Sequence, residues 1–224
     1  FLSALITTLF DIEKCRTSKG DEARLVPNWL AVLSRGGATT HEHFAATPEN
    51  IETLENSDLS LIHVHVRHPV AALISRIRKL RRSDNNLVER FLKENNASIS
   101  TNDISEPRSE PILASIFIPE INRFLKSWME YSKNPNSKLK VVFSKYEDLV
   151  SNTITFSENF LREHFDIHSS VDISRIVQSL QREAEELGHH NFVGVRSNEL
   201  IHEIEPETNE LLSRALAPDI PVSY

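Results

Sequence analysis

Two β-branched, largely apolar runs, Leu61-Ile62-His63-Val64-His65-Val66 and Leu139-Lys140-Val141-Val142-Phe143-Ser144, each give way at once to a helical pattern. That repeated strand-to-helix order constrains the fold more than any other feature of the chain. The first run ends at Arg67-His68-Pro69 and continues into Val70-Ala71-Ala72-Leu73-Ile74, with a proline suited to the first turn of a helix. The second passes through Tyr146-Glu147-Asp148-Leu149 into a helical stretch from about Ser151 to His164. Buried-type strands separated by helices predict an α/β fold, with a mostly parallel sheet and helices on both faces.

The rest of the chain fits around those units. Residues Phe1 to Lys14 read as helix, Glu22 to Leu33 as a second helix broken near Pro27, and Gly36-Gly37 introduces strand character at Ala38-Thr39-Thr40. Asn85 to Glu110 is polar, carries Pro107 and runs up to Pro111, and reads as a partly mobile excursion. Helical periodicity resumes from Ile112 to Tyr131 despite Pro119, and again at Ile173 to Leu187 and Pro206 to Leu216. No repeat or linker divides the chain, and 224 residues suit a single domain over 1–224. The chain opens at Phe1 in what reads as the middle of an amphipathic helix, which predicts that the natural N-terminus lies upstream.

Composition narrows the function. With 25 Lys and Arg against 32 Asp and Glu, the formal net charge is −7, so no global positive field attracts nucleic acid and an anionic ligand must meet a local basic site. One such cluster is Arg76, Arg78, Lys79, Arg81 and Arg82, either a solvated helix face or a patch that draws in an anion. The single cysteine, Cys15, forms no intrachain disulfide, and no CxxC or HxxxH pattern points to a metal. No apolar run approaches the roughly 18 residues of a membrane span, and the opening FLSALITTLF is too short and lacks the basic leader of a signal peptide. The expected compartment is cytoplasmic, or the Golgi lumen if an upstream segment carries an anchor; Asn96-Ala97-Ser98 is a formal glycosylation sequon.

The turn Arg67-His68-Pro69 joins the end of a parallel strand to a helix N-terminus, where open α/β sheets bind ligands and backbone N–H groups favour anions. Arg67 and Ser75 are the natural phosphate donors there. The segment VHVRHPVAALIS resembles the strand, turn and helix with which sulfotransferases hold the 3′-phosphate of their donor, and Arg67 and Ser75 match the arginine and serine of that pattern. KVVFSKYEDLV is similar to the family's later strand and Tyr-Glu-Asp-Leu turn, with Tyr146 at the position that lies near the adenine. HHNFVGVRSNEL, followed by an acidic helix and a terminal Tyr224, resembles the glycine-containing loop that closes over the donor. In that loop Phe192-Val193 stands before Gly194 where the cytosolic subgroup has a basic pair, and Arg196 is the candidate substitute.

This resemblance, spanning about residues 61 to 224, implies a three-layer α/β/α sandwich of the P-loop NTPase-like, sulfotransferase type. It implies 3′-phosphoadenosine 5′-phosphosulfate as co-substrate, no metal, and transfer of a sulfuryl group to a hydroxyl or amine of a carbohydrate or small metabolite. Thr39-Thr40-His41 is similar to the segment that delivers the base in many members, so His41 is a candidate general base; Glu42 and His43 compete for the role. Sulfuryl transfer passes through a loose in-line transition state, in which positioning and positive charge dominate. The family supplies part of that charge from a glycine- or serine-rich loop with a lysine or arginine. This chain has five glycines and no GxxxxGK arrangement, and Phe1 to Leu5 reads as the helix that follows such a loop. The competing expectation is therefore a noncatalytic nucleotide- or partner-binding domain derived from such an enzyme. A P-loop kinase ranks behind both, because the phosphate-loop and magnesium-binding residues it requires are not found.

Overall fold

A computed structural model describes residues 1–19, 24–165, 167, 171–186 and 204–215. In chain order the elements begin with α1 (Leu2–Phe10), β1 (Glu13–Lys14), β2 (Ser18–Lys19), β3 (Arg24–Leu25), α2 (Pro27–Ser34), β4 (Ala38–Thr39), α3 (Pro48–Glu55) and β5 (Leu61–Val66). They continue with α4 (Pro69–Arg81), α5 (Asn85–Glu94), a 3-10 turn at Thr101–Asp103, α6 (Ser109–Ser132) and β6 (Lys140–Lys145). The last are α7 (Tyr146–Ser151), α8 (Thr153–Phe165), α9 (Ile173–Glu186) and α10 (Pro206–Ala215). The chain is α/β. It groups into two compact units, Phe1–Val66 with Ser127–Val195, and Arg67–Lys126 with Arg196–Tyr224.

In the first unit β5 and β6 run parallel over six rungs, from Leu61↔Lys140 to Val66↔Lys145. A second parallel pair joins β1 to β4, Glu13↔Ala38 and Lys14↔Thr39, and β2 and β3 form a short antiparallel pair. The expected parallel strands are thus present, but they are less buried than their composition predicts: in β5 only Val64 is fully buried, and Leu61 and Phe143 are exposed. The exposed residues fall on both faces: Leu61 lies with His63 and His65, and Phe143 pairs with the buried Val64. Successive side chains of a strand point to opposite faces, so His63 and His65 share one face while Ile62, Val64 and Val66 share the other.

The packing of this unit combines an apolar seam with satisfied polar anchors. Leu5 of α1, Phe160 and Leu161 of α8, and Ile173, Val177 and Leu180 of α9 form one buried cluster. Full burial of each such side chain stabilises by about 1.5–3 kcal/mol. Trp128 is only 2% exposed; its indole N–H donates to the Phe44 carbonyl at 3.0 Å, and its ring meets Phe44 edge-on at 5.5 Å. Trp128 thus belongs to the core, with the half-buried Phe44 packed against it. Trp29, by contrast, is exposed on α2.

The helix ends follow local chemistry. The α1 helix stops at Asp11, whose left-handed backbone (φ 50°) lets its N–H return to the Thr7 carbonyl. The α2 helix starts at Pro27, so the proline opens the helix rather than breaking one. The α3 helix, not expected from the sequence, begins at Thr47, whose hydroxyl accepts the Asn50 N–H, with Pro48 and Glu49 in its first turn.

In the second unit, α4 buries Val70, Ala71, Leu73, Ile74, Ile77 and Leu80 against Val88 and Leu92 of α5, Leu113, Ala114, Phe117 and Ile118 of α6, and Leu212 of α10. The polar stretch from Asn85 onward is therefore a helix rather than an excursion over its first ten residues. Asp84 caps it by accepting the Leu87 N–H at 2.9 Å. Ser109 is fully buried, and its hydroxyl donates to the carbonyls of Ile104 and Glu106 at 2.8 Å. That tie closes the loop back onto the start of α6.

Candidate functional site

Several of the residues that the sequence singles out follow the C-terminal ends of parallel strands. Thr40, His41 and Glu42 follow β4, and Tyr146 opens α7 directly after β6. Arg67 follows Val66, the last residue of β5, and Val66 and Lys145 are register partners on the final rung. The chain thus leaves β5 and β6 at the same end of the ladder. In the second unit Arg67 and Ser75 are half-buried, and α4 begins at Pro69 with no acidic residue in its first turn. An anion at this N-terminus would meet favourable N–H dipoles without a competing carboxylate from the helix itself.

Glu42 is engaged structurally. Its carboxylate accepts the Thr17 N–H at 2.9 Å and the Ser18 hydroxyl at 2.7 Å, while Arg16 donates from Nε to the Ser18 carbonyl at 2.9 Å. Partial desolvation would raise this carboxyl, but the donors from Thr17 and Ser18 and the charge of Arg16 outweigh it and hold the group below the usual glutamate range. Glu42 therefore ties the segment after β4 to the start of β2 as a carboxylate.

His41 stands beside it, its ring meeting His43 edge-on at 4.9 Å. Loss of hydration, followed by the neighbouring His43 and Lys14, lowers its basicity, with Glu42 acting in the opposite sense. The imidazole is neutral near pH 7 and so has a lone pair for a proton.

Tyr146 is half-buried and packs edge-on against His65 at 6.0 Å; His65 Nδ1 lies 2.6 Å from Ser144 Oγ on the adjacent strand. His65 and Ser144, on matching rungs of the two strands, are not among the residues the sequence predicts for the site. Their i, i+2 histidine spacing and a serine at the matching rung were the signals available.

The basic run on α4 is largely committed within its own unit. Arg76 pairs with Glu120 and lies over the Phe117 ring, and Arg81 donates to the Ile104 carbonyl at 2.9 Å and to the Ser109 hydroxyl at 3.1 Å. Lys79 and Arg82 are exposed. The run mainly fastens α4 to the segment before α6, and only part of it presents charge to solvent. Gly194 and Arg196, with His189, His190, Asn191 and Tyr224, lie outside the described residues.

A cavity of about 500 Å³ opens between α2 and α3, lined among others by Pro27, Arg35, Glu52 and Asp58; no residue predicted as a site lines it. Among the described residues no group of three or more His, Cys, Asp or Glu is placed to hold a metal ion, and no helix is long and apolar enough to cross a membrane. No protein-family model matches the chain, and no curated protein matches it.

Proposed function

We propose that this chain carries the 3′-phosphate side of a sulfotransferase donor site, in a P-loop-like three-layer fold, and moves a sulfuryl group from 3′-phosphoadenosine 5′-phosphosulfate to a hydroxyl or amine. The observation that carries the reading is the β5–β6 ladder: two parallel strands end on one rung, Val66↔Lys145, and the next residues are Arg67 and Tyr146. Arg67 and Ser75 hold the 3′-phosphate at the start of α4, through a charge-assisted contact and a hydroxyl contact. Tyr146 borders the adenine, and Gly194 and Arg196 belong to the closing loop.

In the reaction the acceptor oxygen bonds to sulfur, the bond from sulfur to the phosphate oxygen breaks, and adenosine 3′,5′-bisphosphate departs. The acceptor proton passes to His41. Glu42 is the alternative base and His43 the third, but the Glu42 carboxylate already accepts from Thr17 and Ser18, which favours the His41 imidazole.

A second reading, a noncatalytic domain that binds nucleotide or a partner, is favoured by Phe192-Val193 standing before Gly194 where the cytosolic sulfotransferases have a basic pair. The two readings separate in an assay of donor turnover with a panel of carbohydrate and small-molecule acceptors. Release of adenosine 3′,5′-bisphosphate coupled to acceptor sulfation supports the enzyme. Saturable nucleotide binding without turnover supports the second reading, and neither binding nor turnover overturns both.

A further inference from the structure

One face of the β5–β6 pair carries an arrangement that the proposed reaction does not use. His63 and His65 project from it at adjacent same-face positions, with ring centroids 6.2 Å apart. The α8 helix covers them with three rings on one side of the helix, Phe156, Phe160 and His164. His63 lies 4.7 Å from Phe160 and 5.7 Å from His164, while His65 lies 6.0 Å from Phe156. The His164 side chain is only 5% exposed. The Nε2 atoms of both β5 histidines are shut off from solvent and have no hydrogen-bond partner among the described residues.

We propose that His63 and His65, packed under the Phe156, Phe160 and His164 rings, form an acid-operated latch, which holds α8 on the β5–β6 face while the two imidazoles are neutral and releases it when they are charged. A neutral imidazole packs against phenylalanine as one more flat ring. A charged one needs water or an anion at its second nitrogen, and here that nitrogen faces side chains. Two charges on His63 and His65 at this spacing also repel one another.

The charged and titratable groups around the layer do not cancel this effect. On α7, Glu147 favours the charged form of His65, and Tyr146 packs on the same ring. On α8, the Glu163 carboxylate is 4.0 Å from His164 but is itself 65% exposed, so water screens it. His41, beyond β4, and the Phe1 amino group both disfavour charge on His65. Burial first and the neighbouring histidine second hold His63 and His65 down to about 4. The unfolded chain, with histidines near 6.5, binds these protons first. Stability is therefore fully present above about pH 6.5 and is lost as pH falls toward 4.

The test is thermal unfolding of the whole chain from pH 7 to 4, with amide exchange read along α8. His63→Phe with His65→Gln removes both titrations while keeping a ring at one site and a hydrogen-bonding group for Ser144 at the other. The latch predicts a Tm that falls by several degrees between pH 6.5 and 4, with α8 amides exchanging ahead of the rest, and a much flatter profile in the double variant. A flat wild-type profile, or an unchanged slope in the variant, overturns it. If the variant fails to fold, imidazole titrations of the wild type by NMR decide: midpoints of His63 and His65 near 4 support the latch, and midpoints at or above 6.5 overturn it.

Discussion

His65 Nδ1 lies 2.6 Å from Ser144 Oγ, each on its own strand of the parallel pair and opposite the other in register. The contact bridges two segments 79 residues apart in sequence and fixes the imidazole against which Tyr146 packs. Replacing Ser144 by alanine leaves that nitrogen without its partner in a mostly buried place. The expected loss is about 1–3 kcal/mol, the cost of stranding a buried polar group. Denaturant unfolding of Ser144→Ala checks it, and an unchanged midpoint would mean that the contact contributes nothing.

Asn50 on α3 is 2% exposed; its Oδ1 accepts the Leu25 N–H at 2.9 Å and its Nδ2 donates to the Ala45 carbonyl at 3.0 Å. Asn50→Ala should cost about 1–3 kcal/mol or more, since two backbone groups lose their partner at once. Asn50→Asp should also destabilise, because a carboxylate cannot donate to Ala45. Denaturant melts of both variants measure this, and near-wild-type stability for Asn50→Asp would contradict the assignment of Nδ2 as donor.

The Glu42 tether predicts an acid limb of its own. Its folded pKa is lowered from 4.5, so the unfolded chain takes up the proton first, and the stabilisation is present above pH 4.5 and lost below it. Glu42→Gln should be less stable than wild type at pH 7, with the difference shrinking as pH falls below 4.5. A constant difference would show that charge on Glu42 has no part in holding Thr17 and Ser18.

The same residue and its neighbour decide the acceptor side of the proposed reaction. His41→Ala should lower turnover by about 10²–10⁴-fold while leaving donor affinity nearly intact. Single-turnover sulfate transfer, with donor binding measured on the same preparations, makes the comparison. Loss of transfer in Glu42→Gln alone would move the role to the carboxylate, and full activity in both variants would remove His41 and Glu42 from the mechanism.

The strand-to-helix order was legible because β-branched runs bounded by Arg67-His68-Pro69 and Tyr146-Glu147 carry both the period and the stop signal. The α5 helix was not, because the polar residues around it outweighed a short amphipathic pattern. Asp84 as cap, with Val88, Phe91 and Leu92 on one side, was the signal to read. Of the candidate site, the placement of Thr40, His41 and Tyr146 at strand ends followed from the strand patterns that precede them. The engagement of Glu42 with Thr17 and Ser18, and of Arg81 with Ile104 and Ser109, did not, since each joins segments more than 20 residues apart through side-chain atoms.

The central claim, that Arg67 at the end of β5 holds a nucleotide 3′-phosphate, is tested most directly by calorimetric titration with adenosine 3′,5′-bisphosphate and with adenosine 5′-monophosphate. Both are measured on the wild type, on Arg67→Ala and on Ser75→Ala. The account predicts that the wild type prefers the bisphosphate, that Arg67→Ala weakens bisphosphate binding by about 1.5–3 kcal/mol with little effect on the monophosphate, and that Ser75→Ala does the same to a smaller extent. Equal affinity of the wild type for the two nucleotides, or a bisphosphate affinity unchanged by Arg67→Ala, would contradict it.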